Sequence, residues 1–273
     1  MSNEEFFADN QANWDDRALI HYQSDFYGVD AFVADPSALS EVVAIDRERL
    51  GNLEQLTAVH LQCHIGLDTL SLARLGAQVV GIDLSQRSVD IATQIAQRCG
   101  IDATFVQGNV YDAVKILQGG QFDLVYTGVG ALYWLPDLNE WANTVADLLR
   151  PGGRFFIRED HPLSMMCAYD NSEGVRIDDD YFNTGVMTQD EGQTYTDGGT
   201  IEHRRYHGWH HDLGEIFTAL LKAGLVIDDF VEVEQIPWRR FQQMVPDSHP
   251  GFYRLGERYP KIPLGYVLQA HRV

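Results

Sequence analysis

Residues 58–85, AVHLQCHIGLDTLSLARLGAQVVGIDLS, constrain this chain more than any other stretch. A strand expected at 58–63 meets a tight turn at Cys63-His64-Ile65-Gly66. Residues 68–75 carry a helical pattern that stops at Gly76, and a second strand, 78–83, ends on the carboxylate of Asp83. Strand, turn, helix and strand in that order call for a parallel crossover, and a parallel sheet needs helices on its faces.

The alternation continues down the chain. A helix is expected at 85–99, with Ser85 as N-cap, Val89, Ala92, Ile95 and Ala96 facing inward, and Gly100 as its stop. Strands follow at 103–107 and 122–127; the second, FDLVYT, is apolar enough to be buried on both faces. A helix at 138–149 leads to Pro151-Gly152-Gly153, which should turn the chain into a fifth strand at 154–159. The rhythm then breaks. Residues 160–208, with the acidic triplet Asp178-Asp179-Asp180 and the pair Gly198-Gly199, read as an insertion of loops and short strands. A helix at 213–223 and a strand at 225–234 resume the pattern, 237–259 is irregular, and 264–271 is a last strand. The expected architecture is α/β, a Rossmann-like doubly wound sheet.

Ahead of the sheet, Trp14, Tyr22, Phe26, Tyr27 and Phe32 suggest one or two short helices between residues 13 and 35. A further helix at 37–53 places Leu39, Val42, Val43 and Leu50 on one face and ends at Gly51. This N-terminal segment, 1–54, serves either as core or as a lid over a site on the domain at 55–273.

Composition excludes some classes. The formal net charge of −20 disfavours a partner bound through phosphates. Three scattered cysteines without a CxxC spacing suggest neither a disulfide framework nor a zinc site, and the histidines at 203, 207, 210 and 211 lack companions for a metal set. The N-terminus has no apolar signal region, and no apolar run approaches the roughly 18 residues of a membrane span, so a cytoplasmic protein is expected.

A strand–turn–helix unit followed by a strand with an acidic end is how α/β folds make room for an adenosine-containing cofactor. Gly66 allows close backbone approach in the turn, although Gln62 and His64 stand where nucleotide loops favour glycine. Asp83 either accepts hydrogen bonds from ribose hydroxyls or favours the dipole of the next helix. Gly108-Asn109-Val110 either reads an adenine edge or is an ordinary turn. His161, next to the fifth strand, and His210 are candidate general bases.

Together these segments resemble the class I S-adenosylmethionine-dependent methyltransferases. Residues 58–85 take the place of the family's first two motifs, FVQGNVYD the third, and FDLVYTGVGALYWLPDLNEWANTVADLLRPGGRFFIRE the fourth strand, its helix and the fifth strand. LVIDDFVEVE and PLGYVLQAHR resemble the closing strand pair. The resemblance implies a seven-stranded, mostly parallel sheet with an antiparallel last strand, S-adenosyl-L-methionine as cofactor, and a small-molecule methyl acceptor. It assigns Gln62, Cys63 and Gly66 to the methionine part, Asp83 to the ribose, and Leu84 to packing on the adenine. Asn109 and Val110 flank the adenine, and Thr127 faces the sulfonium. Trp14, Tyr22 and Tyr27, with the insertion, form lid and substrate wall. The family's common first motif has an acid and three glycines where this chain has His60, Gln62, His64 and Gly66. A branch with an LQCH(I/F)GLDTLS core carries the same replacements. Backbone carbonyls near Gln62 and Cys63, or the N-terminal segment, would then hold the methionine amino group. Two other readings compete: a methyltransferase-fold scaffold without turnover, and an NAD(P)-dependent oxidoreductase, which the missing glycine-rich pyrophosphate turn argues against.

Overall fold

The computed structural model describes residues 2–168, 174–182, 185–196 and 198–273. Three helices come first: α1 (Asn3–Gln23), α2 (Val29–Ala34) and α3 (Glu41–Leu50). Strands then alternate with helices: β1 (Thr57–Leu61), α4 (Leu67–Arg74), β2 (Gln78–Asp83), α5 (Gln86–Cys99), β3 (Ala103–Gln107), α6 (Ala113–Ile116), β4 (Phe122–Thr127), α7 (Leu138–Leu148) and β5 (Leu149–Asp160). After α8 (Pro162–Met165), β6 (Val186–Asp190) and β7 (Arg205–Trp209) pair antiparallel. The chain continues through α9 (Leu213–Lys222), β8 (Leu225–Val233), β9 (Gln235–Ile236), β10 (Met244–Pro246), β11 (Tyr253–Leu255) and β12 (Gly265–Arg272).

Seven strands form one sheet in the order β3-β2-β1-β4-β5-β12-β8. The first five are mutually parallel, and β12 runs antiparallel between β5 and β8. The seven-stranded, mostly parallel sheet with an antiparallel last strand is therefore as expected. Successive residues along its central strands enter opposite cores. Val59, Val125, Phe155 and Leu268 pack with Trp141 and Val145 of α7 and Leu220 of α9. Ala58, Leu124, Phe156 and Val267 pack with Val43 and Leu50 of α3 and Leu72 of α4. Burial on both faces explains the unbroken apolar runs. Helix α5 begins where predicted: the Ser88 amide donates to Ser85 Oγ at 2.9 Å, and Gly100 closes the helix at φ 66°.

Three expectations are corrected. Pro151-Gly152-Gly153 lies inside β5, where pairing with β4 jumps from Phe122↔Leu149 to Leu124↔Arg154. The extra residues form an irregularity that tolerates a proline lacking an N–H, and a Cβ on Gly153 would sit 2.8 Å from the Phe122 carbonyl oxygen. Residues 237–259 are not wholly irregular: β10, β11 and β9 form a small sheet over Ile236, Phe241, Met244 and Leu255. Strands of two or three residues are too short to show alternation. The N-terminal aromatics do not mark only short helices. Residues 3–23 form one helix, α1, whose buried stripe is Phe6, Asn10, Asn13, Arg17 and His21. Mostly polar, that stripe was invisible to a hydrophobicity pattern. Of the insertion proposed at 160–208, residues 169–173, 183–184 and 197 lie outside the described residues.

Candidate functional site

Strand order reverses between β1 and β4, and the crevice beyond their C-terminal ends is where open α/β sheets bind ligands. A cavity of about 1880 Å³ opens there. Its first wall is the turn after β1. Gln62 (φ 59°) and His64 (φ 51°) both adopt left-handed backbone, which costs a non-glycine residue about 1–2 kcal/mol. Surrounding bonds hold the turn in place. The Cys63 amide donates to the Ile82 carbonyl at 2.9 Å, and the His64 amide to Asp83 Oδ2 at 2.7 Å. Gln62 Nε2 donates to the Ala131 carbonyl at 2.9 Å, tying the turn to the loop after β4. Gly66 (φ 82°) must be glycine on two counts, since a Cβ would also lie 2.8 Å from Ala92 Cβ.

Asp83 closes this wall at the end of β2. Its Oδ1 accepts the Ser85 amide at 2.9 Å. Burial raises its pKa to about 6, against the lowering effect of the Ser85 and His64 amides. Leu84, Asn109 and Val110 line the same cavity, and Asn109 Oδ1 accepts the Tyr111 amide at 3.2 Å, capping the turn Val110–Asp112. Thr127 does not reach the cavity; it is fully buried, and Gly128 lines the wall instead.

Beyond the β5 end the wall becomes acidic. The Glu159 carboxylate accepts the amides of Ala131 at 2.8 Å, Leu132 at 3.0 Å and Asp160 at 2.8 Å, and also that of Gly130, so it shapes the loop after β4. Asp160 lines the cavity with its buried Oδ1 lacking a partner. Burial, then the neighbouring Glu159, push its carboxyl well above the usual range. His210 also lines the cavity, its pKa lowered by burial. His161 is placed elsewhere: its Nδ1 accepts the Leu163 amide at 3.1 Å, its Nε2 lies 2.9 Å from Glu232 Oε1, and it is not a lining residue.

Helix α1 and the β6–β7 hairpin roof the turn after β1. Trp14 packs edge-on to His64, with centroids 5.2 Å apart, and to Trp134 at 5.1 Å. His21 Nδ1 lies 3.0 Å from His64 Nε2, and its Nε2 2.7 Å from Thr194 Oγ1. Burial lowers both imidazoles, His64 to about 3, so the pair is neutral and shares one hydrogen. Tyr27 lines the cavity, stacks on His21 and pairs its hydroxyl with that of Tyr195. Tyr22 does not line it; its hydroxyl accepts from Arg98 at 3.0 Å. Two further histidines dock elements: His207 Nε2 lies 3.0 Å from Asp9 Oδ2, and His211 Nε2 2.7 Å from the Leu135 carbonyl. Among the described residues, no group of three or more His, Cys, Asp or Glu could hold a metal ion, and no helix is long and apolar enough to cross a membrane.

Sequence reasoning gave no role to His60 and Asp68, which line the cavity from β1 and the first turn of α4. It also missed Asp160, whose only signal was its place at a strand end.

Residues 59–155 match the sequence model of the methyltransferase domain. The chain is similar to two proteins named ubiquinone biosynthesis O-methyltransferase. One, from Shewanella pealeana, is 31% identical over 94 residues, 34% of this chain and 39% of that protein. The other, from Bordetella avium, is 30% identical over 131 residues, 47% of this chain and 54% of that protein. The matched stretch thus spans about half or less of these relatives. Two solved structures share the fold, both S-adenosylmethionine-dependent methyltransferases by name. That from Listeria monocytogenes has a TM-score of 0.62 at 19% identity, covering 85% of this chain and 97% of its own. That from Mesorhizobium loti has 0.59 at 21%, covering 85% and 98%.

Proposed function

We propose that this chain, which carries a class I S-adenosylmethionine-dependent methyltransferase domain, moves a methyl group from S-adenosyl-L-methionine to a small-molecule acceptor. One observation carries the reading. The turn after β1, Asp83 and Asn109-Val110 face a single cavity that continues to His210 and Asp160. The residues fit the cofactor: a left-handed Gly66 in the cavity wall, a strand-end carboxylate, and an imidazole nitrogen, His60 Nε2, with no partner.

The cofactor supplies a methyl group made electrophilic by its sulfonium. Asp83 binds the ribose hydroxyls, Asn109 and Val110 flank the adenine with Leu84 against it, and Gln62, Cys63 and Gly66 line the methionine end. At the end of β4 it is Gly128, and not Thr127, that lines the cavity. Within the N-terminal segment 1–54, α1 and the turn that follows it serve as the lid, while α3 packs on the sheet, and the insertion at 160–208 is the substrate cap of the domain at 55–273. They exclude water and fix the acceptor, which is where rate is gained when the reagent is already reactive. His210, kept neutral by burial, can take the proton of a hydroxyl acceptor. The O-methyltransferase names of the relatives support the same acceptor class. The charge of −20 argues against nucleic acid as acceptor.

Thermal shift tests the reading. S-adenosylmethionine and S-adenosylhomocysteine should each stabilise the protein, by about 2.7 kcal/mol at a hundredfold excess over Kd, and NAD should not. No response to either adenosylated ligand overturns it. Transfer of labelled methyl to a panel of small phenols and alcohols then separates an enzyme from a scaffold.

A further inference from the structure

Asp68 and His60 are brought together with Asp68 lacking a counter-ion and His60 Nε2 lacking a partner. Asp68 sits in the first turn of α4, where a surface carboxylate could favour the helix dipole in full contact with water. Here it lines the cavity, and burial raises its pKa to about 6. The Ser40 side chain hydrogen-bonds it, and no ion pair among the described residues reaches it. His60 is 3% exposed, with Nδ1 2.8 Å from Thr69 Oγ1 and Nε2 lacking a partner. Both groups converge on one point. A Cβ on Gly128 would lie 3.1 Å from Asp68 Oδ2 and 3.4 Å from His60 Nε2. A carboxylate with a hydroxyl partner but no counter-ion, beside an imidazole nitrogen with no partner, calls for a ligand that is cationic and carries several hydrogens.

We propose that this corner binds the α-ammonium of the cofactor's methionine end, with Asp68 as counter-ion and His60 Nε2 as a second acceptor. The inference rests on the methyltransferase reading and names how that site holds its ligand. It replaces the expectation that backbone carbonyls near Gln62 and Cys63, or the N-terminal segment, do this. An ammonium has three hydrogens to give, which suits a carboxylate and an imidazole lone pair together. The assignment fixes the His60 tautomer: Nδ1–H donates to Thr69 Oγ1, leaving Nε2 as acceptor. Asp83, on β2, is bound to the His64 and Ser85 amides and serves the sugar. Gly128 keeps the approach open, because any side chain there would stand in front of both groups.

The test is isothermal titration with two ligands, S-adenosylhomocysteine and 5′-methylthioadenosine. They share base, sugar and thioether, but the second has no amino acid. Asp68→Asn should weaken S-adenosylhomocysteine about ten- to hundredfold, as for a lost charged hydrogen bond, and leave 5′-methylthioadenosine within about twofold of wild type. Gly128→Ala, which alters no charge, should give the same selective loss, and it decides the matter if Asp68→Asn does not fold. Equal losses for both ligands, or no loss for S-adenosylhomocysteine, overturn the assignment. A wild-type protein that binds neither ligand overturns the methyltransferase reading itself, a different result from wild-type binding with unselective variants.

Discussion

Helices α7 and α1 each bury one face along their length, and they do it with opposite chemistry. Helix α7 presents Leu138, Trp141, Ala142, Val145 and Leu148 to the sheet. Helix α1 presents Phe6, Asn10, Asn13, Arg17 and His21, spaced by three or four residues in the same way. The difference lies in what each covers. Helix α7 meets side chains, such as Phe155, whose ring is 5.5 Å from that of Trp141. Helix α1 meets backbone. Asn10 Nδ2 donates to the His207 carbonyl at 3.0 Å while its Oδ1 accepts the His207 amide at 2.7 Å, and Asn13 Nδ2 donates to the His203 carbonyl at 2.7 Å. A strand edge left under a helix needs partners for its N–H and C=O groups, and side-chain amides supply both.

The strongest attack on this contrast is Trp141→Ala. Emptying a fully buried site should cost about 3–5 kcal/mol in urea denaturation; a loss near zero would mean apolar packing does not hold α7.

The site between the helices comes next. Asp83→Asn should weaken S-adenosylhomocysteine by about 1.5–3 kcal/mol and cost the unliganded fold about 1–3 kcal/mol, since the side-chain amide can accept only one of the His64 and Ser85 N–H groups. The same logic sets a pH dependence. Burial lifts the Asp83 and Asp68 carboxyls from 3.8 to about 6, so the folded chain holds these protons more tightly than the unfolded one. Their contribution to stability is greatest below the unfolded value and is lost as pH rises toward about 6. Cofactor affinity should move the other way, weakening as pH falls through about 6, because the ionised carboxylates bind. Titrations between about pH 5 and 8 that give a flat Kd would break this account.

Asn10→Leu places an apolar side chain in the polar stripe and strands the His207 N–H and C=O. The expected cost is about 1–2 kcal/mol, read as faster amide hydrogen exchange in α1 and β7. A slower exchange would show that α1 could have been docked by apolar packing after all. The smallest effect belongs to Arg98→Ala in the last turn of α5. Its partner Asp30 is 92% exposed, so the change in stability should stay below about 1 kcal/mol.

The same contrast explains what could be read in advance. Strands buried on both faces announce themselves as apolar runs, and Ser85 and Gly100 mark helix ends by local chemistry, so the sheet and α5 were legible. The stripe of α1 was not, because its partners belong to β7, nearly two hundred residues away in the chain. Within the site, Asp83 and Asn109 stood out as polar residues ending apolar strands. His60 and Asp68 read as strand interior and helix first turn; only the fold of β4 against β1 brings Gly128 over both. His161 follows a strand end directly, yet α8 turns it toward Glu232 and away from the cavity.

The position of β12 has a consequence for how this chain is made. Its residues 265–272 fill the gap between β5 and β8, both synthesised earlier. On the ribosome the sheet cannot be completed in the order of translation. Strand β5 waits with an unpaired edge until the final strand emerges and slots in beside it. That interval is when the nascent chain is most open to pairing with a neighbour, and when a holding chaperone would have most to protect.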